Sequence, residues 1–188
     1  GISIDSGVLT LGGLQWNAYL TTVDFGARLS AVEIELLRMI NAARINPLGV
    51  AEEKGLKART DAYFEKYPEL RAVLEQGLAP LAANDALMAA ARTHVADVVK
   101  NNNFSQISTD GKTHLDRIKD SGYAFAEANE AWQLMFPDGV ATIIDTNDPL
   151  QLAGYLFKKI LTDEFSPNNK GILKILNPQM QNVGLDFG

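Results

Sequence analysis

Apolar residues recur at helical spacing in three long stretches of this chain and alternate in short runs near its two ends. Ser30 and Glu33 have capping-box spacing, in which a hydroxyl and a carboxylate each satisfy a free backbone amide of the first turn, so a helix is predicted to begin here and run to about Ile45. Val32, Leu36, Ile40 and Ala43, with Leu37 beside them, place one apolar stripe on it. Asn46-Pro47 stops it, because the residue before proline avoids helical angles. Residues 50–76 are charged and helix-prone but broken by Gly55 and Pro68, which predicts two or three short helices with Tyr63, Phe64, Leu70 and Leu74 facing inward. Asn84 then caps a second long helix, whose stripe Leu87, Ala91, Val95 and Val98 ends at Asn101-Asn102-Asn103. That helix is expected at the centre of the core.

Beyond it, Ser108-Thr109-Asp110-Gly111 reads as a turn and Leu115 to Asp120 as a short helix closed by Gly122. Tyr123 to Trp132 alternates enough to predict a strand. Asp148-Pro149 is a helix start, a cap followed by proline in the first turn, leading into LQLAGYLFKKILTDEF, and Asn182 to Phe187 reads as a closing strand. At the other end, Val8 to Leu11 and Ala18 to Val23 flank Gly12-Gly13 as a hairpin or two short strands.

With 188 residues, 46% of them apolar, the chain can bury one substantial core, and no linker divides it. We read it as one globular domain made of an N-terminal strand segment (residues 1–29) and a main body (residues 30–188). A net charge of −6 with no basic cluster argues against a nucleic-acid partner. No apolar run is long enough to span a bilayer. The opening GISIDSGVLTLGG lacks the features of a signal peptide, so any export signal is expected outside this sequence. The absence of cysteine excludes disulfides, thiol nucleophiles and zinc–thiolate sites.

Five segments add a further inference: LLRMINAARINP (36–47), LAPLAANDALMAAARTHVADVV (78–99), NFSQISTDGKTHLDRIKDSGY (103–123), ANEAW (128–132) and SPNNKGILKILNPQMQNVGLDFG (166–188). In this order and spacing they resemble the CAP superfamily of cysteine-rich secretory, antigen 5 and pathogenesis-related 1 proteins, in its cysteine-free bacterial, SCP-like form. The resemblance covers roughly residues 30 to 188. It implies an α+β fold, a three-layer α-β-α sandwich with a central antiparallel sheet, and an exported protein, extracellular or periplasmic. It also implies a cleft with two histidines and two glutamates. Here the first histidine position holds Gln106 and the second Asn169, while Glu130 matches the first glutamate, and Glu164 is the nearest choice for the second. Glutamine and asparagine amides bind transition metals poorly, so neither zinc nor another cofactor is expected.

The two remaining histidines have ordinary readings. His94, one residue before Val95, is expected to be a hydrogen-bonded structural residue, and His114 to be exposed unless it replaces the missing cleft imidazole. Glu127 and Glu130 would point to opposite faces of a regular strand, so a carboxylate pair needs a bulge between them. Glu130 alone is expected to line the cleft, held by Gln106 or Asn169. Asp145 to Asp148 resembles a calcium loop but lacks its glycine and distal glutamate, and a helix cap explains it better. Trp132 and Tyr155, with Phe157, are read as core packing, or else as the wall of an apolar groove.

The segment NAYLTTVDFG (17–26) resembles the last strand of the family, so Tyr19 to Phe25 is predicted to pair beside Asn182 to Phe187 in permuted order. The expected function is a non-enzymatic, exported domain whose altered cleft serves as a binding or scaffold module of a larger protein. Its partner would be an unidentified protein or a small apolar ligand, a lipid or sterol, bound by a monomer. A structural spacer is another alternative, and a third is a hydrolase using Glu130 as base and His114.

Overall fold

The computed structural model describes the backbone of residues 2–11, 14–23, 29–133 and 144–187, and the side chains from 29 to 133 and from 144 to 187. Helix α1 (Ala31–Ile45) begins at the expected capping box: the Glu33 amide donates to Ser30 Oγ at 3.2 Å, and the Ser30 amide donates to Glu33 Oε2 at 2.5 Å. It ends at Asn46, whose side chain accepts from the Gly49 amide and so caps α2 (Pro47–Glu53). Helices α3 (Lys57–Lys66) and α4 (Pro68–Glu75) complete the broken stretch, with Tyr63, Phe64 and Leu74 buried and Leu70 packed against the core. Asn84 Oδ1 accepts from Ala86 and Leu87 at the start of α5 (Asp85–Asn101), which ends on a left-handed Asn102. A second capping box, Thr113 with Asp116, starts α6 (His114–Asp120). Asp148 caps α7 (Pro149–Glu164), as its local sequence requires.

Helices dominate this α+β chain, and its described strands form two separate pairs. β1 (Ile2–Leu11) and β2 (Leu14–Val23) make an antiparallel hairpin in which Tyr19 faces Ser6 and Val23 faces Ile2. The permuted pairing of Tyr19–Phe25 with Asn182–Phe187 is therefore corrected. Closing a short hairpin orders far less chain than pairing with a distant segment. Asp24 and Phe25 of that proposed strand, and Gly12-Gly13 between β1 and β2, lie outside the described residues. β4 is only Asn182–Val183, and it pairs in parallel with β3 (Ala82–Ala83). These pairs do not assemble a central antiparallel sheet between helical layers. Tyr123 to Trp132 is irregular rather than a strand: no ladder pairs it, and side-chain bonds from Glu127 and Glu130 hold it instead.

The centre of the core is α1 against α7, not α5. Ile40, Ala43, Ala153 and Leu161 are almost wholly buried between these two helices and their neighbours. Tyr63, Phe64 and Phe165 meet edge to face beside them. Helix α5 packs instead on α6 and β4. Two buried charges then fix a loop. Arg44 donates to the carbonyls of Ala79, Ile175, Asn177 and Met180, and the Glu164 carboxylate accepts from the amides of Lys174 and Ile175. Segment 174–180, which has no secondary structure to hold it, is thereby pinned to the ends of α1 and α7.

Candidate functional site

Between α1 and α7 on one side and α5 on the other lies a cavity of about 700 Å³. Its walls are largely apolar: Val32 and Leu36 from α1, Leu156 and Ile160 from α7, Leu87 and Val95 from α5. The stripe read as the core face of α5 is thus a cavity wall, and Leu87, Ala91 and Val95 are only partly buried. The residues of α5 that are fully covered are Met88, Ala90, His94 and Val98.

A polar cluster closes one part of this wall. Arg117, on α6 and 4% exposed, donates through Nη2 to Glu130 Oε1 at 2.5 Å and through Nη1 to Ser108 Oγ at 3.1 Å. The same Nη1 lies 3.1 Å from the carbonyls of Gln106 and Lys112, so the turn read at Ser108–Gly111 wraps the guanidinium. Ser108 Oγ is in turn 3.4 Å from His94 Nδ1. Burial, followed by the positive charge of Arg117, holds the His94 pKa below its ordinary value, so this ring is neutral at pH 7. Its Nε2 makes no hydrogen bond, and neither does Glu130 Oε2, although both atoms are buried. His94 and Glu130 both line the cavity. Elsewhere on the wall, burial and then the neighbouring Glu33 raise the Asp186 carboxyl, opposed by Arg92 at 3.5 Å.

The residues expected in a cleft divide. Glu130 and His114 line the cavity, His114 from the first turn of α6 and half-buried. Gln106 and Asn169 do not. The Gln106 side chain is exposed and only its carbonyl is used, while the Asn169 amide is spent on the carbonyls of Asp163 and Glu164 in the turn after α7. The partner expected for Glu130 is corrected accordingly: a guanidinium holds it, not an amide. Glu164 also lies away from the cavity wall, buried against backbone amides. His94, expected to be a hydrogen-bonded structural residue, is both hydrogen-bonded and on the cavity wall. Trp132 lines the cavity, Phe157 is core, and Tyr155 stands off the cavity wall under Lys159.

Sequence reasoning missed Arg117 and Ser108. A signal existed for His94: Ala91, His94, Val95 and Val98 fall at helical spacing on one face of α5. For Arg117 the signal was weak, an arginine beside the apolar Ile118 in a seven-residue helix. Among the described residues no group of three or more His, Cys, Asp or Glu could hold a metal ion. Among them, too, no helix is long and apolar enough to cross a membrane. What the arrangement offers is an apolar chamber with a fixed hydrogen-bonding corner.

No curated protein and no solved structure matches the chain. The family model described as CAP, the cysteine-rich secretory protein family, matches residues 37–187, which takes in the cavity walls apart from Val32, Glu33 and Leu36 and the whole His94, Ser108, Arg117 and Glu130 cluster, and this chain belongs to that family.

Proposed function

We propose that this chain is a non-enzymatic binding domain that takes a small, largely apolar molecule into the cavity between α1, α7 and α5. The observation that carries the reading is the cavity of about 700 Å³, walled by aliphatic side chains with polar groups gathered in one corner. Sites for small organic ligands have this volume and this division of labour, apolar walls for affinity and a few polar groups for orientation. The family's association with secreted proteins supports an exported, monomeric module of a larger polypeptide, built on the sandwich expected of its relatives.

The arrangement offers little to a hydrolase. Glu130 is engaged by Arg117 rather than by His114, and Ser108 accepts from the guanidinium and stands off the cavity wall. A general base works on a nucleophile or water positioned against it, and among the described residues neither His114 nor Ser108 is hydrogen-bonded to Glu130.

The test is displacement of an apolar fluorescent dye by 1-decanol, on the natural chain and on Ala91→Trp, in which an indole would project from the α5 wall. The expected result is binding to the natural chain and a loss of about tenfold or more in the variant, with the unfolding transition unchanged, as filling a chamber without a structural role requires. Equal binding by both proteins would place the ligand elsewhere and end this reading.

A further inference from the structure

Two buried polar atoms of residues that line the cavity make no hydrogen bond, and the bonds around them bear on what each can do. Arginine can only donate, so Ser108 Oγ accepts from Arg117 and has one hydrogen left to give. Its partner is His94 Nδ1. Assigning that hydrogen to Nδ1 as acceptor puts the ring hydrogen of the neutral imidazole on Nε2, which becomes a donor. Glu130 Oε2 is an acceptor, since the Oε1 of the same carboxylate is occupied by Arg117. Both belong to one cluster, with Glu130 bonded to Arg117 directly and His94 joined to it through Ser108, and both residues line the apolar chamber.

From this we infer that His94 Nε2 and Glu130 Oε2 form a head-group subsite for a neutral hydroxyl, so that the cavity selects apolar molecules ending in an alcohol over those ending in a carboxylate. A hydroxyl oxygen accepts from His94 while its hydrogen goes to Glu130, and both buried atoms are satisfied by one group. A carboxylate has no hydrogen to give and would face Glu130 directly. The charge of the wall repeats the preference: its carboxylates are Glu33, Glu127, Glu130 and Asp186, and its cations are Arg117 and Lys174. An ammonium head is refused for the complementary reason, since it cannot accept from Nε2 and would lie beside the Arg117 charge.

The inference rests on the cavity being a binding site, and the experiment separates the two. Affinities of 1-decanol, decyl methyl ether and decanoate are measured by calorimetry at pH 7 on the 188-residue chain. The ether keeps the oxygen acceptor but has lost the hydrogen. The alcohol is expected to bind about tenfold tighter than the ether, and decanoate to be weaker than both. His94→Leu is expected to weaken alcohol and ether alike, whereas Glu130→Gln narrows the gap between them. Should either variant fold poorly, the three-ligand series on the natural chain still decides. If alcohol and ether bind within twofold, or decanoate binds tightest, the head-group subsite is wrong and the cavity reading stands. If none of the three binds, both are wrong.

Discussion

Arg117 is the residue on which the site depends. It is nearly enclosed, and its donors serve Glu130, Ser108 and two carbonyls. Losing one partner of such a pair strands the other charge, a penalty of about 3–5 kcal/mol, whereas removing both is far cheaper. Arg117→Met and Glu130→Leu are each expected to lower stability by roughly this amount, with the stranded-charge penalty smaller for Arg117→Met because the carboxylate it leaves behind is partly exposed. The double variant should cost well under the sum, which urea unfolding of the four proteins would measure. Strictly additive losses would mean the pair does not interact. Glu130 was legible in the sequence through the resemblance, which singled it out as a cleft residue, and it does line the cavity. Its partner was not. Nothing local in HLDRIKD distinguishes a buried guanidinium from a solvated one, and the distinction is made by a turn that wraps it and a carboxylate thirteen residues on. Gln106 and Asn169 failed in the opposite direction: the resemblance put both in the cleft, yet their side chains serve the solvent and a helix-end turn.

At the level of elements, what was legible was what is decided locally. The ends of α1, α5 and α7 follow from Ser30 and Glu33, from Asn84 and Asn102, and from Asp148-Pro149, because a cap bonds amides within its own turn. Strands are decided by partners distant in the chain. Tyr123–Trp132 has the alternation of a strand without a ladder, and Asn182–Phe187 keeps only two paired residues before it leaves β3 and crosses α5. Gly184 shows why that crossing admits no side chain: a Cβ there would lie 2.1 Å from the Leu87 carbonyl carbon and 2.4 Å from the Met88 amide nitrogen. These are backbone atoms of α5 and cannot rotate away. Gly184→Ala is therefore expected to lever β4 off the helix and to cost about 1–3 kcal/mol or more, as overpacked cores do. Thermal unfolding measures the loss, and an alanine variant as stable as the natural chain would show that the strand does not press on α5. Because 182–187 also forms part of the cavity wall, the same variant should weaken dye binding.

At the scale of the whole molecule, the carboxylate of Glu164 couples the fold to pH. Glu164, at the end of α7, and Arg44, at the end of α1, hold the 174–180 loop by its amides and its carbonyls, and that loop supplies Lys174, Ile175 and Met180 to the cavity. Burial raises the Glu164 pKa to about 7 from an ordinary 4.5, against the lowering effect of the Lys174 and Ile175 amides. The folded chain thus holds this proton more tightly than the unfolded chain does. Its contribution to stability is complete below about 4.5, fades as pH rises, and is lost above about 7. The span corresponds to on the order of 3 kcal/mol at most. Asp97, half-buried, acts in the other sense: hydrogen bonds from Thr109 hold it down at about 2, so its contribution is lost as pH falls toward that value. A single melting curve would mix the two, and Glu164→Gln separates them, because the amide keeps the shape of the protonated carboxyl and does not titrate. The natural chain should lose stability relative to Glu164→Gln as pH rises from 4.5 to about 7.5, while both share the acid limb set by Asp97, Asp116 and Asp148. Urea midpoints across that range give the difference directly. A constant difference would mean that Glu164 is ionised throughout and that its amide bonds outweigh its burial, leaving the cavity loop indifferent to pH over this range.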